Sequence, residues 1–238
     1  MSDTNVQRRQ FLKTSVGAAA VAIAPGMLLL DMAHGKSEEV SNKVRWGMLI
    51  DTASCADGCN DCVTACNKEN GLSGGLSPTD SQWIRKVDLK DKRSGRELSL
   101  PMMCQHCENP PCVDVCPTGS SFKRADGIVL VDKHLCIGCR YCMMACPYKA
   151  RSFVHEPLHD QKPDVPRGKG TVESCTMCVH RVDKGQQPAC AEACPNKSIL
   201  FGNLNDPDSE ISKKIRTVAS IQVRADLGLN TGIRYQGL

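Results

Sequence analysis

The stretch Cys136-Ile-Gly-Cys139-Arg-Tyr-Cys142-Met-Met-Ala-Cys146-Pro147 decides the fold class of this chain. Two residues separate each of the first three cysteines, and three residues separate the third from the fourth. With two intervening residues, consecutive thiolates can hold three irons of one four-iron four-sulfur (4Fe-4S) cluster. The fourth cysteine begins a helix that points elsewhere, so it binds a second cluster. The proline that follows suits the turn that redirects the chain.

Three further groups of four cysteines complete the total of sixteen. Their spacings are two to four residues except for one gap of eleven in the last group, and the second and third of them also end in Cys-Pro. They are Cys55-x3-Cys59-x2-Cys62-x3-Cys66, Cys104-x2-Cys107-x4-Cys112-x3-Cys116-Pro117 and Cys175-x2-Cys178-x11-Cys190-x3-Cys194-Pro195. Four complete groups predict four 4Fe-4S clusters in two pairs, with every cysteine used as a ligand.

Zinc is the main alternative cofactor, because Cys104-x2-Cys107 and Cys175-x2-Cys178 each match half of a structural zinc site. A zinc site does not require an x2-x2-x3-Pro run, so iron-sulfur clusters fit the sequence better. Covalent haem is excluded, because no Cys-x-x-Cys pair is followed by histidine. His106 lies inside the second group, where four cysteines already suffice, so we expect a hydrogen-bonding neighbour rather than a ligand.

Composition limits the remaining functions. The chain has 238 residues, enough for one domain or two small ones, and only four Phe, three Tyr and two Trp. Its formal net charge of +4 is too small to indicate a phosphate-binding surface, so no nucleic acid partner is expected. The sequence has no P-loop, no dinucleotide fingerprint and no Ser-His-Asp order. We therefore expect an electron-transfer subunit rather than an enzyme.

The cysteine groups belong to a longer repeat. Phe122, Phe153 and Phe201 occupy equivalent positions after the closing Cys-Pro of the last three groups. Strand patterns precede the first and third groups, at residues 45–51 and 127–132, and another follows at residues 83–88. Each unit is then a strand, a cluster-binding loop, a short helix and a strand. This order predicts an α+β fold of two bacterial-ferredoxin-like units with inserted loops, built around four iron-sulfur clusters.

Four segments describe the expected organisation. They are a signal peptide over 1–35, a first ferredoxin-like unit over 36–103 together with 171–202, a second unit over 104–170, and a C-terminal helix and tail over 203–238. The first unit carries the outer two cysteine groups. Residues 71–78 and 155–170 read as surface loops. A helix is predicted over 208–219, with Ile211, Ile215 and Val218 on the face that docks on the body.

The N-terminus indicates export. Gln7-Arg8-Arg9-Gln10-Phe11-Leu12-Lys13 precedes an uncharged run over residues 14–30, as in a twin-arginine (Tat) signal. A retained membrane anchor is the alternative, although this run is short of the ~20 residues that span a bilayer. Tat substrates cross the membrane folded, which suits clusters inserted in the reducing cytoplasm better than disulfides. We therefore expect a periplasmic protein held at the inner membrane through its partners.

Several stretches resemble a known family, the four-cluster iron-sulfur subunits that partner quinone-linked membrane proteins. The resemblance rests on Cys104-Gln-His-Cys107-Glu-Asn-Pro-Pro-Cys112, Cys175-Thr-Met-Cys178-Val-His-Arg181 and Phe201-Gly-Asn-Leu-Asn-Asp-Pro207, and it runs from about Trp46 to the C-terminus. The family serves polysulfide, tetrathionate, dimethyl sulfoxide and nitrite reductases. Within it, the leader and the block 125–146 are most similar to DsrO-type subunits of the DsrMKJOP complex of dissimilatory sulfur metabolism.

The resemblance implies four ligand sets. Ligand set 1 is Cys55, Cys59, Cys62 and Cys194; ligand set 2 is Cys66, Cys175, Cys178 and Cys190; ligand set 3 is Cys104, Cys107, Cys112 and Cys146; ligand set 4 is Cys116, Cys136, Cys139 and Cys142. The first group departs from the family, because three residues rather than two separate Cys55 from Cys59. Gly58 is expected to absorb the extra residue.

The resemblance also implies the function and the partners. The chain is expected to carry electrons between an NrfD-like quinone-interacting integral membrane subunit and other redox subunits, including cytochromes. The electron-transfer subunit of a periplasmic molybdopterin reductase remains an alternative. So does a free-standing soluble ferredoxin, which would need no membrane partner.

Overall fold

Residues 40–56, 58–72, 77, 79–159 and 161–238 are described by the structure, a computed structural model. The expected signal peptide and most of the 71–78 loop lie outside the described residues. Helices and strands alternate along the described chain, as an α+β fold requires. The strands are β1 (Trp46–Asp51), β2 (Ile84–Lys90), β3 (Glu97–Met103), β4 (Ser121–Lys123), β5 (Val129–Val131), β6 (Ser152–Phe153), β7 (Val172–Glu173), β8 (Ile199–Asn203), β9 (Ser220–Ile221) and β10 (Ile233–Gln236).

The helices are short, and most of them carry cysteines. They are α1 (Asp61–Asn70), α2 (Pro111–Asp114), α3 (Tyr141–Ala145), α4 (Val179–Val182), α5 (Ala189–Glu192) and α6 (Glu210–Thr217), with a 3-10 helix at Ala225–Leu227. Within the described chain, no helix is long and apolar enough to cross a membrane.

The largest sheet has the strand order β8-β1-β10-β9. Strand β1 pairs antiparallel with β8 and parallel with β10. Met48, Leu49 and Ile50 are at most 1% exposed, because a central strand covered on both faces is apolar along its length. Gly47 is required at the start of β1, because a Cβ there would collide with the Gly232 carbonyl oxygen.

The C-terminal segment contributes more than the expected helix and tail. Strand β10 occupies an interior position of the largest sheet, and its Ile233 and Tyr235 side chains are fully buried. Helix α6 begins after Ser209, whose Oγ accepts the Ser212 N–H at 3.3 Å. The helix packs on β8 and β1 with Ile211 buried, which confirms the expected docking on the body. The division of the chain into two ferredoxin-like units stays a prediction.

The remaining described strands form three antiparallel pairs, β2-β3, β4-β5 and β6-β7. The strands expected at 45–51, 83–88 and 127–132 are confirmed by β1, β2 and β5. The three phenylalanine-bearing repeats also become strands, β4, β6 and β8. Phe201 stacks on Trp46 with the ring centroids 5.0 Å apart, whereas Phe122 is 38% exposed.

One apolar core joins the segments assigned to the two ferredoxin-like units. Trp83, Met103, Ile128 and Ile199 all belong to it. Cysteines from all four groups are part of the same core, namely Cys62, Cys66, Cys104, Cys107, Cys146, Cys175 and Cys190. Thiols therefore take positions that large apolar side chains fill in proteins with more aromatic residues.

Candidate metal centres

Each cysteine group combines an irregular loop with a short helix. The loop carries the first cysteines, and the third cysteine of each group lies in a helix: Cys62 in α1, Cys112 in α2, Cys142 in α3 and Cys190 in α5. The fourth cysteine follows four residues later, about one helical turn further along. The expectation that the fourth cysteine begins a helix is therefore wrong, because each helix begins one residue before the third cysteine and the fourth lies within it or within two residues after its end.

The residue just before the second cysteine of every group has a positive φ angle. These residues are Gly58, His106, Gly138 and Met177, with φ of +70°, +43°, +71° and +55°. For a residue other than glycine this conformation costs ~1–2 kcal/mol, so the fold must hold His106 and Met177 in place. The turn aims backbone donors at sulfur, since the Met177 N–H donates to Cys175 Sγ at 3.4 Å. Gly58 keeps the same turn in the longer first group.

The thiols of Cys66, Cys175, Cys178 and Cys190 lie together in the core, each at most 5% exposed. Burial raises the pKa of Cys66 to about 12, and the nearby Cys178 thiol adds to the rise. Burial also raises the pKa of Cys175 and of Cys190, in both cases reinforced by Cys66. Two sequence-distant groups thus meet in one buried place.

A second collection of thiols lines one small cavity. Cys104, Cys107, Cys112 and Cys146 share its wall with Tyr148 and Arg151. Burial raises the pKa of Cys107 to about 12, and the neighbouring Cys104, Cys112 and Cys146 thiols add to it. The fourth cysteine of the third group therefore lies among the cysteines of the second group.

The other thiols include two buried ones, Cys62 and Cys142, and six that are partly or fully exposed. Cys136 and Cys116 interact with Cys142, and Cys55 and Cys59 interact with Cys62. These interactions do not include Cys139 or Cys194. Of the sixteen cysteines, ten are buried, five are partly buried and Cys139 alone is exposed.

Several donors reach the thiols from outside the cysteine groups. Lys86 Nζ donates to Cys55 Sγ at 3.0 Å, Arg151 Nη2 to Cys112 Sγ at 3.1 Å and Asn70 Nδ2 to Cys66 Sγ at 3.5 Å. Burial acts to raise the pKa of Cys116, but hydrogen bonds from Ser120, Ser121 and Thr118 outweigh it and lower that pKa to about 6. Such donors stabilise thiolates, which is the form that binds metal.

Buried polar atoms without partners test whether an iron-sulfur cluster fits. Among the described residues these include Arg151 Nη1, His106 Nε2, Thr176 Oγ1 and Ser198 Oγ, all close in sequence to cysteines. His106 Nδ1 accepts the Val129 N–H at 3.1 Å, so the neutral ring carries its proton on the unpartnered Nε2. Burial lowers the pKa of His106 to about 3, which keeps the ring neutral. The sulfurs of a bound cluster would supply the acceptors that these donors lack, so the residues fit the cofactor.

None of the sixteen cysteines, all of which lie in the described part, forms a disulfide. Nor does any group of three or more His, Cys, Asp or Glu side chains in that part converge as a site for a single metal ion.

Sequence reasoning missed Lys86 as a functional neighbour. It lies on β2, far along the chain from Cys55, and no local spacing signals its contact. It also missed the shared left-handed turn, for which Gly58 and Gly138 were the available signals.

Exposed apolar side chains lie close to Cys139 in the sequence. They share the loop and helix of the third cysteine group, and we call them the third-group surface: Leu135, Ile137, Tyr141 and Met144, which are 53%, 67%, 59% and 74% exposed. Arg140 lies in the same loop, with its guanidinium carbon 4.1 Å from the Phe153 ring centroid. An exposed apolar patch of this kind on a folded protein commonly marks an interaction site.

Known families match this arrangement. Models of 4Fe-4S dicluster domains match residues 50–120 and residues 96–204. The chain is 43% identical to iron-sulfur subunit 1 of an Hdr-like menaquinol oxidoreductase from Archaeoglobus fulgidus, over 98% of both chains. It is 40% identical to protein NrfC of Escherichia coli, over 93% of this chain and 91% of that one.

A third relative is a tetrathionate reductase subunit of Salmonella typhimurium, with 37% identity over 86% of this chain and 77% of that protein. The matches extend over nearly the whole chain and include every cysteine group. The chain therefore belongs to the family of 4Fe-4S dicluster iron-sulfur subunits, and it is an electron-transfer subunit of that family.

Proposed function

We propose that this chain binds four 4Fe-4S clusters through ligand sets 1 to 4 and carries electrons between a quinone-interacting membrane subunit and another redox subunit. A bound 4Fe-4S cluster accepts and releases one electron at a time. The observation that carries the proposal is the placement of the thiols. Ligand sets 2 and 3 each gather in buried places, whereas ligand set 4 includes Cys139, the one cysteine that is exposed.

The chain's own residues prepare these sites in two ways. They exclude water, because ten of the sixteen thiols are buried. They also supply donors to sulfur, from side chains such as Lys86 and from backbone groups such as the Ser198 N–H, which donates to Cys194 Sγ at 3.2 Å. Buried ligands with fixed donors set the reduction potentials of iron-sulfur centres.

The third-group surface supports the proposed membrane partner. Electron exchange with another protein requires a redox centre close to the contact, and the exposed Cys139 belongs to the same loop as these apolar side chains. We propose that the surface docks on an NrfD-like integral membrane protein that reacts with quinone. The relatives named for a menaquinol oxidoreductase and for NrfC support this class of partner. Cytochromes are the proposed redox subunits on the other side.

Location and pathway are finer parts of the proposal. We propose Tat export to the periplasm and a role like that of DsrO in dissimilatory sulfur metabolism. The leader motif Arg8-Arg9 supports the route. Replacing both arginines with lysine should leave a cluster-loaded precursor in the cytoplasm, seen by fractionation and immunoblotting. Normal delivery of that variant would exclude Tat export.

Metal analysis of the full chain tests the cofactor proposal. Anaerobically purified protein should contain about 16 iron and 16 sulfide per chain, from four clusters of four irons each. Zinc in place of iron, or about half that iron, would contradict it.

Reduction by quinol tests the electron-transfer proposal. Adding a menaquinol analogue to the complex isolated from solubilised membranes should reduce some of the clusters, whereas the isolated subunit should not respond. Reduction of the isolated subunit alone, or copurification with no membrane protein, would contradict the proposal.

The alternative role is electron transfer within a periplasmic molybdopterin reductase, and the tetrathionate reductase relative favours it. The same purification distinguishes the two. A large molybdenum-containing subunit in the complex would support the alternative, and cytochromes without molybdenum would support the main proposal.

A further inference from the structure

Arg151 is a buried cation directly before β6, with only 5% of its surface exposed. Its Nη2 donates to Cys112 Sγ at 3.1 Å and to Ser121 Oγ at 2.8 Å. Its Nη1 is buried and has no partner among the described residues. A guanidinium offers five N–H donors in one plane, so Arg151 has donors left for a further sulfur acceptor.

The guanidinium lies beside thiols of two different ligand sets. Cys112 of ligand set 3, to which it donates, packs in one buried cluster with Cys142 of ligand set 4. Ser121, its other partner, donates its backbone N–H to Cys116 Sγ of ligand set 4 at 3.4 Å. One cation therefore acts on both sets.

A charge buried this deeply is costly unless opposite charges surround it. Two bound clusters with thiolate ligands would supply that charge, because an oxidised cluster of this type carries roughly −2 with its four thiolates. Each would become more negative on reduction, so a fixed cation beside thiols of both sets would favour the reduced form of both.

We propose that Arg151 is a shared positioning residue that raises the reduction potentials of the clusters in ligand sets 3 and 4 together. The inference rests on the proposed ligand sets. It goes beyond them by assigning one side chain to the tuning of two neighbouring clusters.

Lysine cannot replace arginine in this role. Its single ammonium group is a point charge, whereas the planar guanidinium presents donors on different edges. Lys86 provides the natural comparison, because its Nζ donates to Cys55 Sγ of ligand set 1 at 3.0 Å. Lys86 would therefore affect the reduction potential of one cluster, whereas Arg151 would affect the potentials of two.

Redox titration of the full chain, followed by electron paramagnetic resonance, tests the inference. In Arg151→Gln, the equilibrium constant for reduction should fall about tenfold or more for two clusters, equivalent to about 59 mV each. In Arg151→Lys, the reduction potential should fall for at least one of these two clusters. Lys86→Gln is the matched control, and it should shift only a third cluster.

Ser121→Ala keeps the test decisive if Arg151→Gln loses clusters during purification. Removing the hydroxyl frees the guanidinium from one of its two anchors, so the same two potentials should move in the same direction by a smaller amount. A shift in only one cluster, equal shifts in all four, or wild-type potentials in Arg151→Lys would overturn the inference.

Two ligand variants separate this inference from the proposed function. Cys112→Ala and Cys142→Ala should each disturb a different cluster signal. If they remove the same signal, the ligand sets are wrong. If they remove different signals and Arg151→Gln shifts neither, the ligand sets stand and the shared role of Arg151 is wrong.

Discussion

The surroundings of ligand set 2 and ligand set 4 differ sharply although both contain Cys-x-x-Cys pairs. All four thiols of ligand set 2 are buried, at most 5% exposed, and their nearest side-chain donor is the neutral amide of Asn70. Ligand set 4 includes the exposed Cys139 and is bordered by the third-group surface. Cysteine spacing therefore specifies the cofactor, whereas the surroundings decide whether a site is insulated or open to a partner.

The difference suggests a division of roles. The thiols of ligand set 2 are largely shielded from water, so the site suits relay of electrons within the protein. A site at the surface suits exchange with another protein, because electron transfer weakens steeply with distance. A change in one region should therefore have a different effect from a matched change in the other.

Ligand removal should have the largest effect, and it should differ between the two regions. Cys190→Ala leaves three buried thiols in a core site that has lost its cofactor, so about four irons should be lost and the thermal unfolding midpoint should fall. Cys139→Ala removes a surface ligand, and about one iron should be lost with the midpoint nearly unchanged. Iron analysis and circular dichroism measure both. Equal iron loss in the two variants would contradict the contrast.

The left-handed turns should respond unequally to a methyl group. Gly138 and Gly58 have nearly the same φ, +71° and +70°, so alanine has the same conformational cost at both, ~1–2 kcal/mol. A Cβ at Gly138 also collides with the Gly170 carbonyl oxygen, whereas no described atom lies within 4 Å of one at Gly58. Gly58→Ala should lower the thermal midpoint by about 4 °C and Gly138→Ala by at least about 10 °C.

The same thermal unfolding experiment contains its own control, since both substitutions add one methyl group next to a cysteine. A similar loss in the two variants would show that the approach of Gly170 to the third-group loop is not rigid. A larger loss at Gly58 would show that the first loop is the tighter one.

The sequence predicts the local features of this molecule well and the long-range ones poorly. Strand β1, helix α6 and the grouping of the cysteines follow from short patterns of apolar residues, caps and spacing. The parallel pairing of β10 with β1 joins positions nearly the whole described chain apart, and no local pattern encodes it. The contact between Lys86 and Cys55 is hidden for the same reason. The leader and the complete ligand sets stay predictions.

Polar substitutions on the third-group surface should slow electron exchange with the membrane partner. Ile137→Ser and Met144→Ser change exposed side chains, so stability should move by no more than about 0.5 kcal/mol. The rate of cluster reduction by quinol in the complex should fall about tenfold for the double variant, because apolar contact area is lost. Stopped-flow absorbance measures this rate.

Leu89→Ser is the matched control, because Leu89 is 42% exposed but lies on β2, outside the third-group surface. The clusters of the Leu89→Ser variant should be reduced by quinol at the wild-type rate. Cluster potentials should be unchanged in all of these variants, which separates loss of docking from loss of driving force. An unchanged rate in the double variant would show that the partner binds elsewhere.

Removing a neutral hydrogen-bond donor to a cysteine sulfur should have the smallest effect, a shift in the reduction potential of one cluster. Ser120 Oγ lies 3.2 Å from Cys116 Sγ of ligand set 4, and Asn70 Nδ2 lies 3.5 Å from Cys66 Sγ of ligand set 2. A hydrogen bond to sulfur stabilises the more negative reduced state, and a single neutral bond contributes about 0.5–1.5 kcal/mol. Ser120→Ala should therefore lower the reduction equilibrium constant of one cluster about twofold to tenfold. Asn70→Ala should lower that of a different cluster by less, because its contact is longer. Redox titration with electron paramagnetic resonance resolves the two signals, and a shift of the same signal in both variants would contradict the assignment of these donors to separate regions.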